Sequence, residues 1–343
     1  MVELKREPIT AAGKSLAVKN ASREVFERFA ALSDRRSWVA QYLPQRKAMG
    51  ELGPLLRRDE SGWVRNLLSG ALATEYSEPH YVQVGIHASG KDSVSRSFYE
   101  NFWGPQERRH WEALRLGLLD SGLMTADEVH VYLRECEESD PWTFEKQTGH
   151  SGDDVVWLTA YAAGQEGETN LIYRQSMKIV WEQYGSPRDA ETNRIQYPGL
   201  SGVLQLIAED EGAHQGFFLQ MMRIYLRYWP DKALEALAGV FNGYKMPVVH
   251  IPNPEEFLDA VIRAKLGHPR WVVAEVLTPV AQRLGLESRS AAARALRNFG
   301  DLFDNENAVV QIAGKKIDDV PEGCVVYEMH PDGSFVPQAV ASS

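Results

Sequence analysis

The sequence predicts an all-α protein, a helical bundle with extra helices and a small C-terminal β-hairpin. Three observations point there. Long stretches carry apolar residues at helical spacing and are closed by Gly, Pro or Asp/Ser signals. Two Glu-x-x-His motifs, Glu107-Arg108-Arg109-His110 and Glu211-Gly212-Ala213-His214, fall inside such stretches. Near the C-terminus the pattern changes to short β-like runs around a turn signal.

Residues 18–33 place Val18, Val25, Phe26, Phe29 and Leu32 at helical spacing, with Asn20/Ser22 as a start signal. Residues 63–87 form a second long helical candidate, containing Glu75, and the residues around Gly90 read as a connection. Residues 93–119 are a third helix, holding Glu107 and His110, and Asp120-Ser121-Gly122 ends it. Thr125-Ala126-Asp127-Glu128 has the form of a helix start with acidic residues in the first turn. Residues 153–183 carry Glu166 and are broken by Gly185-Ser186-Pro187-Arg188-Asp189. Residues 199–228 carry Glu211 and His214, and Trp229-Pro230-Asp231 stops them. Lys232 to Phe241 and Pro254 to Leu266 read as shorter helices.

The β-like runs are Ala308–Ile312 and Cys324–Glu328. His330-Pro331-Asp332-Gly333 is a turn signal before Ser334-Phe335-Val336. Residues 339–343 are expected to fray. The chain therefore divides into a bundle over 1–303 and a C-terminal extension over 304–343.

Composition narrows the functional classes. With 343 residues the chain can bury a sizeable core, and a single large bundle is compatible with that length. The net charge of −10 argues against nucleic-acid binding, which needs a basic footprint. Charges interrupt every apolar run before membrane-spanning length, so no transmembrane segment is expected. The N-terminus lacks an apolar signal core. Cys136 and Cys324 lie far apart, which fits a reducing compartment and a cytoplasmic location better than a disulfide framework. A zinc HExxH motif, a Walker A loop, a dinucleotide GxGxxG and a nucleophile elbow are all absent.

The spacing of the two motifs has chemical meaning. Residues three apart share a helix face, so each motif can aim a carboxylate and an imidazole at one point. Alone, such a pair is ordinarily part of a solvated face. Here a helix with Glu75 precedes Glu107/His110, and a helix with Glu166 precedes Glu211/His214. Two helical hairpins facing each other would make a near-symmetric cage of four glutamates and two histidines. Carboxylate and imidazole ligands suit iron or manganese, and neither cysteine lies near enough to suggest an iron–sulfur cluster. Four carboxylates offset the +4 charge of two ferrous ions, which makes their burial tolerable. His80, His87, His130, His150, His250, His268 and His330 are read as surface or satisfied histidines.

At this level of detail the chain resembles the soluble acyl-carrier-protein fatty acid desaturases, a ferritin-like di-iron family. Thr74-Glu75, with Pro79 and Tyr81, resembles the family's first ligand helix. Gln106-Glu107-Arg108-Arg109-His110 resembles its E-E-N-R-H segment, and Gln165-Glu166-Gly167-Glu168-Thr169 its Q-E-R-A-T segment. Ile207 to His214 resembles I-A-A-D-E-K-R-H, and Val280-Ala281-Gln282-Arg283-Leu284-Gly285 is close to the family's own string. The likeness runs from about residue 20 to about residue 300.

The resemblance implies a ferritin-like bundle holding two Fe ions on Glu75, Glu107, His110, Glu166, Glu211 and His214. It implies a threonine hydroxyl beside the O2 site at Thr169, and an aspartate bonded to a ligand histidine at Asp210. It also implies a surface tryptophan that conducts electrons, for which Trp38 is the candidate. The implied activity inserts a cis double bond into a carrier-bound acyl chain, using O2 and two electrons from a ferredoxin-type donor. A homodimer and a bent apolar tunnel belong to the same expectation, with Phe102, Leu114, Met177 and Phe217 as candidate lining or core residues.

Some positions depart from the family. Glu168 and Glu209 stand where it has alanine, and Val240-Phe241-Asn242-Gly243-Tyr244 replaces a basic cluster that docks the acidic carrier protein. Another carrier, such as a coenzyme A ester, or docking through Arg35/Arg36 or Arg57/Arg58, remains open. So does another di-iron oxygenase on the same scaffold, a hydroxylase or N-oxygenase. A ribonucleotide reductase small subunit is disfavoured, because Trp111-Glu112-Ala113-Leu114 lacks a radical tyrosine. A non-enzymatic iron-binding scaffold is the third class.

Overall fold

A computed structural model describes residues 11–90, 92–139, 143–150, 154–184, 199–246, 251–264, 266, 269–287, 290, 308–314, 320, 324–331 and 334–338. The fold is all-α with a small C-terminal β element. Helix α1 (Ala11–Arg35) leads through a short 3-10 turn (Ala40–Tyr42) to α2 (Gln45–Arg57), α3 (Trp63–Tyr76) and α4 (Glu78–Ser89). Helices α5 (Ser93–Phe98) and α6 (Gly104–Asp120) flank a π-helical turn, Tyr99–Trp103. Then follow α7 (Ala126–Glu138), the short α8 (Phe144–Thr148), and the two longest helices, α9 (Val155–Tyr184) and α10 (Leu200–Tyr228). Next come α11 (Pro230–Gly243), α12 (Pro254–Arg263) and α13 (Pro269–Trp271), which leads through the π-turn Val272–Leu277 to α14 (Thr278–Arg283). Among the described residues, no helix is long and apolar enough to cross a membrane.

The sequence signals explain most boundaries. Thr125 and Glu128 form the reciprocal capping box that starts α7. Asp92 caps α5 by accepting a hydrogen bond from the Val94 amide. The expected helix over 63–87 is in fact two helices. Pro79 cannot donate a backbone hydrogen bond, and its ring would clash with the Glu75 carbonyl in a continuous helix, so the chain breaks at Ser77. The helix expected over 93–119 runs on, but through the π-turn. Pro105 follows this turn, and Pro279 follows the second one, at the point where a regular helix would press the ring on the carbonyl four residues back. The breaker at 185–189 lies outside the described residues, as do residues 339–343.

The expected hairpin is β2 (Val325–Met329) with β3 (Phe335–Pro337), antiparallel, with Met329 opposite Phe335. A further strand, β1 (Ala308–Ile312), pairs parallel to β2, with Ala308 opposite Val325. A parallel pairing needs a crossover, which no turn signal announces in a sequence. Ala308, Val309, Val310 and Met329 are buried in the same apolar cluster as Val18 and Phe29 of α1 and Phe218 of α10. Cys136 and Cys324 are both free.

Helices α9 and α10 run antiparallel: Asn170 bonds the Ala208 carbonyl, and Gln215 bonds that of Ala163. At 1.5 Å per residue each spans about 45 Å. One apolar cluster takes their Val156–Ala163 and Phe217–Tyr228 segments, and a second takes Ile172–Val180 and Leu200–Ala208. The residues between, 164–169 and 209–214, form a polar layer separating two dry cores.

Close helix contacts fix this packing. Helix α11 lies on α9 at Gly239, where an added methyl would overlap the Trp157 ring. Gly239→Ala is expected to cost about 1–3 kcal/mol, the usual range for overpacking. Urea unfolding should show a lower midpoint at unchanged slope. A wild-type midpoint would mean that this contact is loose.

Candidate metal centre

Four helices deliver the polar side chains. Glu75 is the penultimate residue of α3, just ahead of the break that Pro79 imposes. Glu107 lies in the first turn of α6 and His110 one turn later. Glu166 sits near the middle of α9, and Glu211 and His214 near the middle of α10. All six are 5% exposed or less.

The six form two overlapping groups. Glu75, Glu107, His110 and Glu211 make one, and Glu107, Glu166, Glu211 and His214 the other; within each group, ligand atoms lie within 4.8 Å of one another. Glu107 and Glu211 belong to both and are therefore placed to bridge. His110 Nδ1 is 3.4 Å from Glu211, 3.6 Å from Glu107 and 3.8 Å from Glu75. His214 Nδ1 is 2.9 Å from Glu107, 3.2 Å from Glu166 and 3.3 Å from Glu211. One N–H cannot serve three carboxylates, whereas one cation can. His110 Nδ1, Glu107 Oε1 and Glu211 Oε1 have no hydrogen-bond partner among the described residues. Orphaned buried polar atoms are costly, and a metal ion at each group would satisfy them. This buried Glu/His cluster can bind metal.

Both imidazoles turn Nδ1 inward and Nε2 outward. His110 Nε2 faces Asp210 Oδ2 at 3.4 Å, and His214 Nε2 donates to Gln106 Oε1 at 2.6 Å. An acceptor on the outer nitrogen fixes the tautomer that leaves the inner one free for a metal. The carboxylates are held as well. Tyr173 donates to Glu75 at 2.6 Å and the Trp103 indole to Glu166 at 3.0 Å. Trp103 closes the π-turn, whose extra residue sets the position of that ring.

Electrostatics describe a cluster waiting for positive charge. Burial raises the Glu75 carboxyl to about 7, with His110 opposing the shift and Glu107 reinforcing it. Burial also raises Glu211 well above the usual carboxylate range, reinforced by Glu107 and Glu166. Burial disfavours the Glu107 carboxylate too, but His110 and His214 outweigh it and hold that group low. The same balance runs the other way at the imidazoles. Burial opposes their protonation, yet the surrounding carboxylates hold both above the ordinary histidine value. Without metal, the protein must keep protons where cations fit.

Trp38 and Asp210 meet at this site. The Trp38 indole donates to Asp210 Oδ2 at 2.9 Å, and its ring stacks on His110 at 6.2 Å and 16°. Arg109 reaches Asp210 at 3.4 Å and lies over the Trp38 ring. A chain of contacts thus runs from half-buried Trp38 through Asp210 to His110. Thr169 donates to the Gln165 carbonyl at 2.9 Å and lines a cavity of about 30 Å3 together with Glu75.

The remaining expectations divide. Glu209 faces solvent, while Glu168 is buried. Phe102, Leu114, Met177 and Phe217 do not line the cavity beside Thr169; they pack in the core, Phe217 stacking on Phe98 at 3.7 Å. His80, His87 and His130 are exposed, His150 stacks on Trp157, and His330 is half-buried. His250 and His268 lie outside the described residues. Arg57 is used to hold the Ser121 carbonyl. Tyr173, Trp103 and the outward role of Gln106 escaped the sequence reading. The i, i+4 relation of Gln106 to His110 hints at the helix but not at a partner on α10. Comparison with protein-family models and with curated proteins finds no match for this chain.

Two outcomes follow for the purified protein. Metal titration should saturate at about two ions per chain, and Gln106→Leu should weaken one of the two by roughly 10–100-fold, the usual effect of losing a ligand's outer partner. Unaltered binding would remove Gln106 from the site. Metal-free protein should lose stability as pH rises from about 5 to 8. Both histidines and Glu75 bind protons more tightly folded than unfolded, so their contribution is present at the acid end and fades as pH rises toward the folded value, about 7 for Glu75. Metal-loaded protein should show a flatter profile. Thermal unfolding across pH checks both.

Proposed function

We propose that this chain is an O2-dependent di-iron desaturase that places a cis double bond in a carrier-bound fatty acyl chain. The observation that carries the reading is the cage itself: two ends of one glutamate and one histidine each, joined by two shared carboxylates, beside a small, mainly apolar cavity lined in part by Thr169. Glu75, Glu107, His110, Glu166, Glu211 and His214 would hold the ions. Carboxylate and imidazole sets favour iron or manganese over softer metals. When bound, an iron pair supplies O2 activation and hydrogen removal. The balance is one saturated CH2–CH2 unit, O2, two electrons and two protons giving one alkene and two waters.

The protein's own groups account for the remainder. Leu67, Leu68, Ala71, Ile172, Leu204 and Phe257 give the small cavity apolar walls, against which the reacting methylenes would be held. Thr169 lines that space together with Tyr173 and Ser176 of the same helix, and its hydroxyl would pass a proton. Trp38, Asp210 and His110 form the route by which a ferredoxin-type donor would deliver electrons. A hydroxylase or N-oxygenase on the same scaffold is the second reading, favoured by the carboxylate of Glu168 in a neighbouring pocket wall.

Metal analysis and the optical spectrum of the oxidised protein test the centre. The absence of iron would falsify the reading. Turnover with reductant and acyl-carrier substrates tests the reaction; an unsaturated product supports desaturation, and a hydroxylated one supports the second reading. Glu107→Ala and His214→Ala should each abolish iron-dependent turnover while the helical circular dichroism is retained. Trp38→Phe should bind iron normally but accept electrons at least tenfold more slowly. An unchanged reduction rate would place the electron route elsewhere.

A further inference from the structure

A second small space lies beside the metal layer. Tyr99 and Trp103 of the π-turn, Leu158 and Ala162 of α9, and Phe218 of α10 line a cavity of about 30 Å3. All five are buried. Polar groups at its edge are turned to other partners. The Trp103 indole donates to Glu166 at 3.0 Å, the Tyr81 hydroxyl to the Thr74 carbonyl at 3.1 Å, and the Tyr161 hydroxyl to the Lys245 carbonyl at 3.1 Å. A buried water needs several polar partners, whereas a cavity with apolar walls stays dry and takes up apolar guests such as xenon. The volume exceeds the roughly 10–15 Å3 that one small molecule requires.

The position of this cavity on α9 is ordered. Leu158, Tyr161, Ala162 and Gln165 recur at steps of three and four residues, so they share one face of the helix. Thr169, Ile172, Tyr173 and Ser176 continue the same stripe and line the cavity beside Glu75. The two spaces thus follow one another along a single helix face, with the level of Glu166 between them. Gln165 of the first and Thr169 of the second meet at the join, where the Gln165 amide donates to the Thr169 hydroxyl at 3.3 Å. Trp103 lines the first cavity and also holds Glu166, so one indole separates the space from a candidate metal ligand.

We propose that this aromatic cavity is a binding site for dioxygen, held beside the Glu166 end of the cage and passed along the face of α9 toward Thr169. Dioxygen is small and apolar, and leaves water for dry apolar space. The arrangement gives the two reactants separate places: the gas among the rings at Trp103, the alkyl chain in the cavity beside Glu75. The inference deepens the oxygenase reading by locating the entry of its second substrate. It rests on that reading for the use of the gas, and not for its binding.

Crystals of the full chain, metal-free and pressurised with xenon, test the binding. A xenon atom is expected between Trp103, Leu158 and Phe218, and Ala162→Leu, which fills the space, should remove it. A cavity without xenon, or with an ordered water in its place, overturns the proposal. Oxidation of the reduced, iron-loaded protein by O2 tests the delivery. Its second-order rate should fall at least fivefold in Ala162→Leu at unchanged iron content, because the variant removes the site that gathers the gas. An unchanged rate in a variant that has lost xenon overturns the proposal equally. If Ala162→Leu does not fold, the smaller filling Ala162→Val serves for both measurements, and xenon in the wild-type protein needs no variant. Xenon in the cavity of a protein that takes up no iron would leave the gas site standing and sink the desaturase. An unsaturated product from a protein whose cavity stays empty under xenon would do the reverse.

Discussion

The structure is organised around the burial of four carboxylates and two imidazoles at one level of a helical bundle. Anionic groups in a dry core repel each other, and the protein resolves this by spacing them so that each cation position faces several oxygens. Everything near the layer serves that spacing. Two helices of about 45 Å carry the layer at their middles and leave apolar segments at both ends to build separate cores. Pro79 ends α3 just after its ligand, and the π-turn ahead of Pro105 rotates Trp103 onto Glu166. The bundle's stability thus comes from the two apolar clusters, and its capacity to hold metal from the seam that separates them.

The ligand set is nearly symmetric, but its surroundings are not. His110 leans on a carboxylate, Asp210, which also receives the Trp38 indole and the Arg109 guanidinium. His214 leans on the neutral amide of Gln106, itself tied to Ser33. A carboxylate partner makes an imidazole more basic and a stronger donor to metal than an amide does. The two halves of the cage are therefore electronically different although built from the same residue types. The half served by Asp210 is also the half in contact with the surface, through Trp38.

Much of this was legible in the sequence, for physical reasons that differ by element. The Glu-x-x-His pairs were readable because helical geometry alone puts residues three apart on one face. The capping box at Thr125 was readable because it is local. The split at Ser77 was not taken from Pro79, since an apolar period that continues on both sides hides a break in the backbone. The parallel strand β1 was invisible as such, because its partner is reached by a crossover and not by a turn. Nothing in the sequence distinguishes Tyr173 and Trp103 from core aromatics; only the fold shows that their polar tips meet Glu75 and Glu166. Glu168 was noticed as a departure, but whether it faced water or the interior depended on packing by α11 and α12.

The contact between α1 and β1 has its own consequence. Lys14 donates to the Ala308 carbonyl at 2.9 Å across a sequence separation of 294 residues, and the strand's valines enter the cluster that holds Val18 and Phe29. The first described helix and the late sheet thus form a clasp around α10. Phe29, within that clasp, packs against the ring of His214 at 6.1 Å. Fraying at either end of the chain would loosen the same clasp, and through Phe29 it would reach an imidazole of the cage. The sheet is small, but it makes the integrity of the centre answerable to the most distant parts of the polypeptide.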